Sequence, residues 1–307
     1  MKMQINETHL TEDGEWIVSS ANRTVRSGFL ELIEARPVLY ALVKRELKSR
    51  YRGSIFGFAW ALGRPISMLL VFYFFVGKIL GASRSIDYFA LYIFISLMFW
   101  NLIAESVTSG ANSIVQNNGL IQKIAFPREI LPIAAVLIAS VNTLIQIPVV
   151  ILGYLIFGVW PTLSQIWLAI PMLLILIILA LTLAILLSAL NVYIRDVQPL
   201  TELSITLLMY ASPIIYSWTF VHDELIDSVG SSKLFDIYIS NPIAVVITGL
   251  QDAFWPGVRK FSDGQVANTL NSITSPTIWT TLGIAILGLL LSYKIFLKLE
   301  PNFAREL

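Results

Sequence analysis

The chain of 307 residues carries two histidines, His9 and His222, and no cysteine. That inventory restricts the chemistry open to it. A zinc hydrolase needs a ligand cluster such as H-E-x-x-H, and a serine or cysteine hydrolase needs a nucleophile beside a positioned base. Two histidines far apart in the chain assemble neither. Without thiols there is also no thiolate zinc site, iron–sulfur cluster or disulfide framework. The nearest approach to a phosphate loop is Gly77-Lys78, with Phe72 in place of the first glycine and Ile79 where Ser or Thr is required. The expectation is a chain with no catalytic residue, no metal ligands and no cofactor of its own, which does not bind ATP through a Walker loop.

The elements that would position any site belong to a bilayer. Apolar residues make up 56% of the chain, charged residues 13%, and mean hydropathy is +0.74, values outside the range of soluble domains. A net charge of +1 supplies no field for binding nucleic acid through phosphates. The N-terminus, MKMQINETHLTEDGEW, is polar and acidic, without the basic and apolar run of a cleavable leader. The first hydrophobic segment is therefore expected to remain as a span.

Spacing predicts an all-α membrane protein with six transmembrane helices: 58–80, 88–108, 130–157, 166–190, 200–218 and 278–296. The fifth is the weakest, because it contains Glu202, Ser212 and Pro213. Residues 1–36 read as a cytosolic lead-in. Residues 37–57 read as an amphipathic interfacial helix, with Leu39, Val43, Leu47 and Tyr51 on one stripe and Lys44, Lys48 and Arg52 on the next; a soluble helix packed on a partner would show the same stripes. The remainder, 58–307, is the membrane domain with a cytosolic C-terminal tail. Residues 241–257 have an apolar core too short to span, which points to re-entrant or interfacial helices between spans 5 and 6.

Sixteen of the 21 Lys and Arg residues fall on the side that six spans assign to both termini, so both ends are expected to be cytoplasmic. Arg64, Glu105 and Glu202 fall within a turn or two of the predicted inner ends. The middle of the membrane is then nearly uncharged, which disfavours a proton or sodium relay, although Asn142 and Gln146 are polar.

Four strings in order carry a resemblance: LKSRYRGSIFGFAWALGRP at 47–65, NNGLIQKIAFPREILP at 117–132, LNVYIRDVQPL at 190–200 with SPIIYS at 212–217, and Asn241-Pro242 with the tail FLKLEPNFAREL. Over residues 30 to 307 the chain resembles the permease subunits of ABC type-2 exporters of polysaccharides of the O-antigen, capsule and teichoic-acid type. The resemblance implies a permease of the bacterial cytoplasmic (inner) membrane that forms a homodimer and recruits two copies of a separate ABC nucleotide-binding subunit. ATP and Mg would be bound and hydrolysed there, while this chain moves a lipid-linked polysaccharide. Exporters of small lipids or drugs, an ion-coupled carrier and a non-transporting scaffold are the rival readings.

Within that frame the 110–126 segment is the expected ATPase-coupling element. Ile114, Val115 and Leu120 stand beside Asn118-Gly119 as a small apolar knob, and Arg128 and Glu129 pass motion to the third span. An ordinary solvated connector with a turn at Asn118-Gly119 would look the same. Phe72, Tyr73 and Phe74 in the first span, with Tyr92, Phe99 and Trp100 in the second, offer ring faces to a sliding glycan, or equally to lipid. Arg50, Arg52 and Arg64 at the inner mouth suit a lipid pyrophosphate, or simply anchor the chain to anionic lipid.

Overall fold

The structure is a computed structural model that describes residues 9–10, 16–17, 35–51, 59–122, 126–228, 230, 232–267 and 275–306. Two short antiparallel strands, β1 (His9–Leu10) and β2 (Trp16–Ile17), pair in the lead-in. Helix α1 (Arg36–Tyr51) begins with Pro37 in its first turn, where a missing N–H costs nothing. Leu42 is buried, and Val38, Leu39 and Val43 are partly buried against the body of the bundle. The apolar stripe of α1 therefore packs on protein, with Leu42 as its centre.

Among the described residues, five helices are long and apolar enough to cross a membrane. The first is α2 (Ala59–Phe72), extended by a π-helical stretch, Tyr73–Ile79. The others are α3 (Phe89–Gln116), α5 (Ile130–Phe157), α6 (Leu163–Tyr193) and α11 (Ser275–Leu299). A one-turn helix, α4 (Asn118–Ile121), links α3 to α5. The third expected span agrees with α5 at both ends, and α5 closes at Gly158 with φ +65°, a left-handed cap that glycine adopts without strain. A capping box at Thr162 and Gln165 then starts α6.

The fifth expected span is helical over only part of its length. Its apolar run forms α7 (Val197–Tyr210), which has 14 residues and is about 21 Å long, and it gives way to turns at 211–216. Proline at 213 has no N–H to continue the ladder. Next come α8 (Trp218–Asp223) and a π-turn at Glu224–Ser228. The pair α9 (Ser232–Ile239) and α10 (Pro242–Phe254) is bent by 74° at its break, and as one bent span it would raise the count to six. Asn241 caps α10 by accepting from the Ile243 N–H. A hairpin of β3 (Arg259–Lys260) and β4 (Val266–Ala267) follows α10, and α12 (Phe303–Glu306) closes the chain.

The core is built around α3, where 78% of the most apolar window is buried, against 11% for α2 and 17% for α11. Helices α5, α6, α7 and α10 surround it. Close approach of α3 to α6 depends on small residues: a Cβ placed on Gly110 would fall 2.5 Å from the Ala184 Cβ. Asn191 on α6 also donates to the Ala111 carbonyl at 3.0 Å. This is how helices associate where lipid offers no hydrophobic drive.

Two ends of the bundle are distinct. At one, α1, α4, the start of α5, the end of α6 and the C-terminal tail share a cluster containing Leu42, Ile114, Phe126, Val192, Phe296 and Phe303. At the other, the start of α3 meets α10 and the β3–β4 hairpin, with Ile86 bridged to Arg259.

Candidate functional site

At the first end residues 114–122 and 126–129 are tied into a plate. Ile114 has no exposed surface and lies inside the cluster, so it anchors the segment and is not the surface knob expected of it. Val115 next to it is 39% exposed. The polar stretch expected as a loop is instead helical as far as Gln116. Asn117 donates to the Ser113 carbonyl at 2.8 Å, and Arg45 of α1 donates to Asn117 Oδ1 at 3.2 Å. Asn118 is half-buried, Gly119 is exposed with open space where a Cβ would stand, and Leu120 is partly buried on the cluster.

Beyond this turn Arg128 donates to the Glu300 carbonyl at 2.7 Å and lies 5.9 Å over the Phe303 ring. Glu129 is buried and accepts from the Tyr293 hydroxyl at 3.4 Å. Tyr193 at the end of α6 donates to the Leu299 carbonyl at 2.8 Å. Val115, Gly119 and Leu120 thus sit beside contacts that tie the ends of α3 and α6, the start of α5 and the tail after α11 together. A small cleft between α1, α3 and α5, lined by Arg45, Ser109, Ser113, Asn117 and Ile138, lies beside this plate.

Glu105 lies deeper than expected. Because α3 runs on to Gln116, its carboxylate stands about 16 Å from the helix end instead of within a turn or two. Asn142 on α5 donates to both its oxygens, at 2.9 and 3.0 Å, and Gln146 donates to the Asn142 carbonyl at 3.2 Å. Arg64 is exposed on α2; Arg52 and the side chain of Arg50 lie outside the described residues.

The ring faces divide between two environments. Phe74 is exposed on α2, edge-on to Phe75 at 5.5 Å, and Phe72 and Tyr73 are partly buried on the core. Tyr92, Phe99 and Trp100 are interior side chains, at most 4% exposed, which corrects their assignment to a channel wall. Tyr92 donates to the Tyr216 carbonyl at 3.0 Å, and Phe99 packs on Phe254 at 5.3 Å. They fill the space between α3, α7 and α10 because this stretch of α3, placed at the centre, has no face left for a polymer.

At the second end lies a constellation that sequence reasoning missed. Arg259, wholly buried on β3, is ion-paired with Asp252 and donates to Gln251 Oε1 at 2.9 Å. Its guanidinium lies over the rings of Trp255, at 4.9 Å, and Tyr92, at 5.6 Å. Gln251 in turn donates to Ser96 Oγ at 2.9 Å and to the Pro213 carbonyl at 2.8 Å. The network ties the hairpin, α10, the turn after α7 and the start of α3 together. Its one sequence signal is Gln251-Asp252 inside an otherwise apolar helix. Among the described residues no group of three acidic or histidine side chains is placed to hold a metal ion.

Comparison with known proteins places this arrangement. The profile of the ABC-2 type transporter family matches residues 37–226. The O-antigen export system permease protein RfbA of Myxococcus xanthus is 29% identical over 256 residues, covering 83% of this chain and 93% of its own length. Two proteins of the same name from Klebsiella pneumoniae are each 28% identical, one over 225 residues (73% of this chain, 82% of its own) and the other over 271 (88% and 95%).

Proposed function

The chain belongs to the ABC-2 type transporter family, and from that premise we propose that it is the permease subunit of an ATP-driven polysaccharide exporter. The cargo is a lipid-linked glycan of the O-antigen, capsule or teichoic-acid kind, carried across the bacterial cytoplasmic membrane. The observation that carries this reading is the alignment of nearly the whole length of O-antigen export permeases with most of this chain. Transport is its role, and ATP with Mg is bound and hydrolysed on two copies of a separate nucleotide-binding subunit.

Six crossings fit the course of the chain. The end of α6 and the end of α11 lie together, as the Tyr193–Leu299 bond requires, so the chain between them crosses an even number of times, and α11 needs one crossing before it. Helix α7 and its following turn supply that passage, since Tyr216 accepts from Tyr92 near the opposite end of α3. With the Lys- and Arg-rich end inside, α1, the Asn117–Ile121 turn and both termini face the cytoplasm. ATP-driven closure of the partner subunits then presses on Val115, Gly119 and Leu120, and the bonded plate turns that push into movement of α3, α5 and α11.

The conduit lies between two protomers. One protomer is packed solid around α3, while α2 keeps Phe74 and Phe75 outside. A glycan slides over such faces because no single register is held tightly.

One observation favours ion coupling: Glu105 at membrane depth. Its carboxylate is bonded to the Asn142 amide, which is the arrangement of a fixed interhelical tie. A deletion strain tests the assignment. Export requires that surface polymer disappears and lipid-linked polymer accumulates inside; a full surface coat in the deletion strain would sink it.

A further inference from the structure

Helix α3 is closed on every side only as far as Trp100. Residues Leu91 to Trp100 are all buried, whereas the positions left partly open between there and Ile114 are Asn101, Ala104, Glu105, Thr108, Ser109 and Asn112. Steps of three and four residues put them on one face, and all but Ala104 are polar. The stripe covers about 17 Å of the helix. Gly110 and Ala111, through which α3 meets α6, lie on another side, so close packing does not account for it.

The depth of the stripe is fixed by direct contacts with α5, which runs antiparallel to α3. Leu91 meets Gly153 towards the second end, Glu105 is bonded to Asn142, and Ser109 shares the cleft at the first end with Ile138. At these same levels α5 exposes Leu137, Leu144 and Ile147, and its exposed positions are apolar throughout. Two neighbouring helices at one depth therefore show opposite chemistry, apolar on the outer face of α5 and polar on the open face of α3. Polar and ionisable side chains at membrane depth face a bundle interior or a water-filled cavity, not lipid.

We propose that this face of α3 is the inner half of the wall of the glycan passage, and that Glu105 makes the passage selective for glycans without acidic groups. The inference rests on the export reading put forward above and narrows its cargo. Amides and hydroxyls along the stripe exchange hydrogen bonds with sugar hydroxyls at many weak sites, which is what a sliding polymer needs. Glu105 is the one charged member of the stripe. Its two oxygens accept from the Asn142 amide, which holds the carboxylate in place, and a two-fold pair of protomers contributes two such groups. An anionic polymer would bring like charge to that pair with every repeat, and a repulsive element of this kind is how a site rejects a competitor. The pyrophosphate of a lipid carrier occurs once per chain and meets the pair once.

Two measurements on the assembled complex in inside-out vesicles test it. Because the chain contains no cysteine, Asn101→Cys, Thr108→Cys and Asn112→Cys are compared with Leu137→Cys and Leu144→Cys, using a charged, membrane-impermeant thiol reagent added at the cytoplasmic face during ATP turnover. The thiolate, formed in water, is the reacting species, so the first three are expected to label about tenfold faster or more than the last two. Uptake is then measured for a polyprenyl-pyrophosphate-linked neutral hexose polymer and for the same polymer carrying a uronic acid in each repeat. The unsubstituted chain is expected to favour the neutral polymer by about tenfold or more, and Glu105→Gln, which keeps an oxygen for Asn142, to reduce that preference to about twofold. Equal labelling of the two cysteine sets, equal uptake of the two polymers, or a preference that Glu105→Gln leaves unchanged would overturn the proposal. ATP-dependent uptake of the neutral polymer by the unsubstituted complex reports on export itself, so failure of the wall is distinguishable from failure of the function.

Discussion

The guanidinium of Arg259 lies 4.9 Å over the ring of Trp255 and is ion-paired with Asp252, with no part of Arg259 exposed. The contact makes the hairpin after α10 a rigid part of the second end. Removing one member strands the other charge in the interior, which costs about 3–5 kcal/mol. Arg259→Met and Asp252→Asn are each expected to lower unfolding stability in detergent by that amount. The double substitution should cost less than the two singles together, since it leaves no isolated ion.

The close approach of α3 and α6 predicts a reciprocal pair. Gly110→Ala drives a methyl into Ala184 and is expected to cost about 1–3 kcal/mol by overpacking. Adding Ala184→Gly should restore most of it, as read by the midpoint of thermal unfolding.

Neighbours at the end of α3 separate stability from coupling. Ile114→Ala opens a cavity in the cluster and is expected to cost about 2–4 kcal/mol. Val115→Ser, at an exposed position, should change stability by less than about 0.5 kcal/mol. Val115→Ser should nevertheless lower the ATPase rate of the assembled complex in the presence of glycolipid.

The Arg45–Asn117 bond joins α1 to the turn. Exposed bonds of this kind contribute less than about 1 kcal/mol. Arg45→Ala and Asn117→Ala are therefore expected to leave folding intact while reducing polymer export, measured as surface glycan at matched protein level. An unchanged surface coat would show that α1 and the turn act independently.

Much of the fold is legible from hydropathy because lipid forces each crossing to declare itself as a long apolar run. The run 130–157 coincides with α5, and the segments at 166–190 and 278–296 each fall within three residues of the observed ends. The end of α3 was not legible. Ser109, Gly110, Ser113 and Asn117 read as a polar connector, yet small and hydroxylated side chains let helices touch, and Gly110 against Ala184 holds that turn helical. The same error put Glu105 near the surface.

The site divided along similar lines. The turn at Asn118-Gly119 was legible from its residue types, and α4 stands there. The burial of Ile114, Tyr92, Phe99 and Trp100 was not, because an aromatic or aliphatic residue on a span reads alike whether it faces lipid, polymer or a neighbouring helix. Only the central position of α3 decides between them. Arg259 was opaque for a further reason: its partners come from α3 and α10, and no spacing in the chain announces a tertiary pair.

Translocation in inside-out membrane vesicles tests the central claim most directly. Lipid-linked glycan, this chain and its nucleotide-binding partner are combined, and polymer reaching the lumen is measured with and without ATP. The account predicts uptake only when both proteins and ATP are present, unaffected by collapsing the proton and sodium gradients. Uptake by this chain alone, driven by an ion gradient, would contradict it.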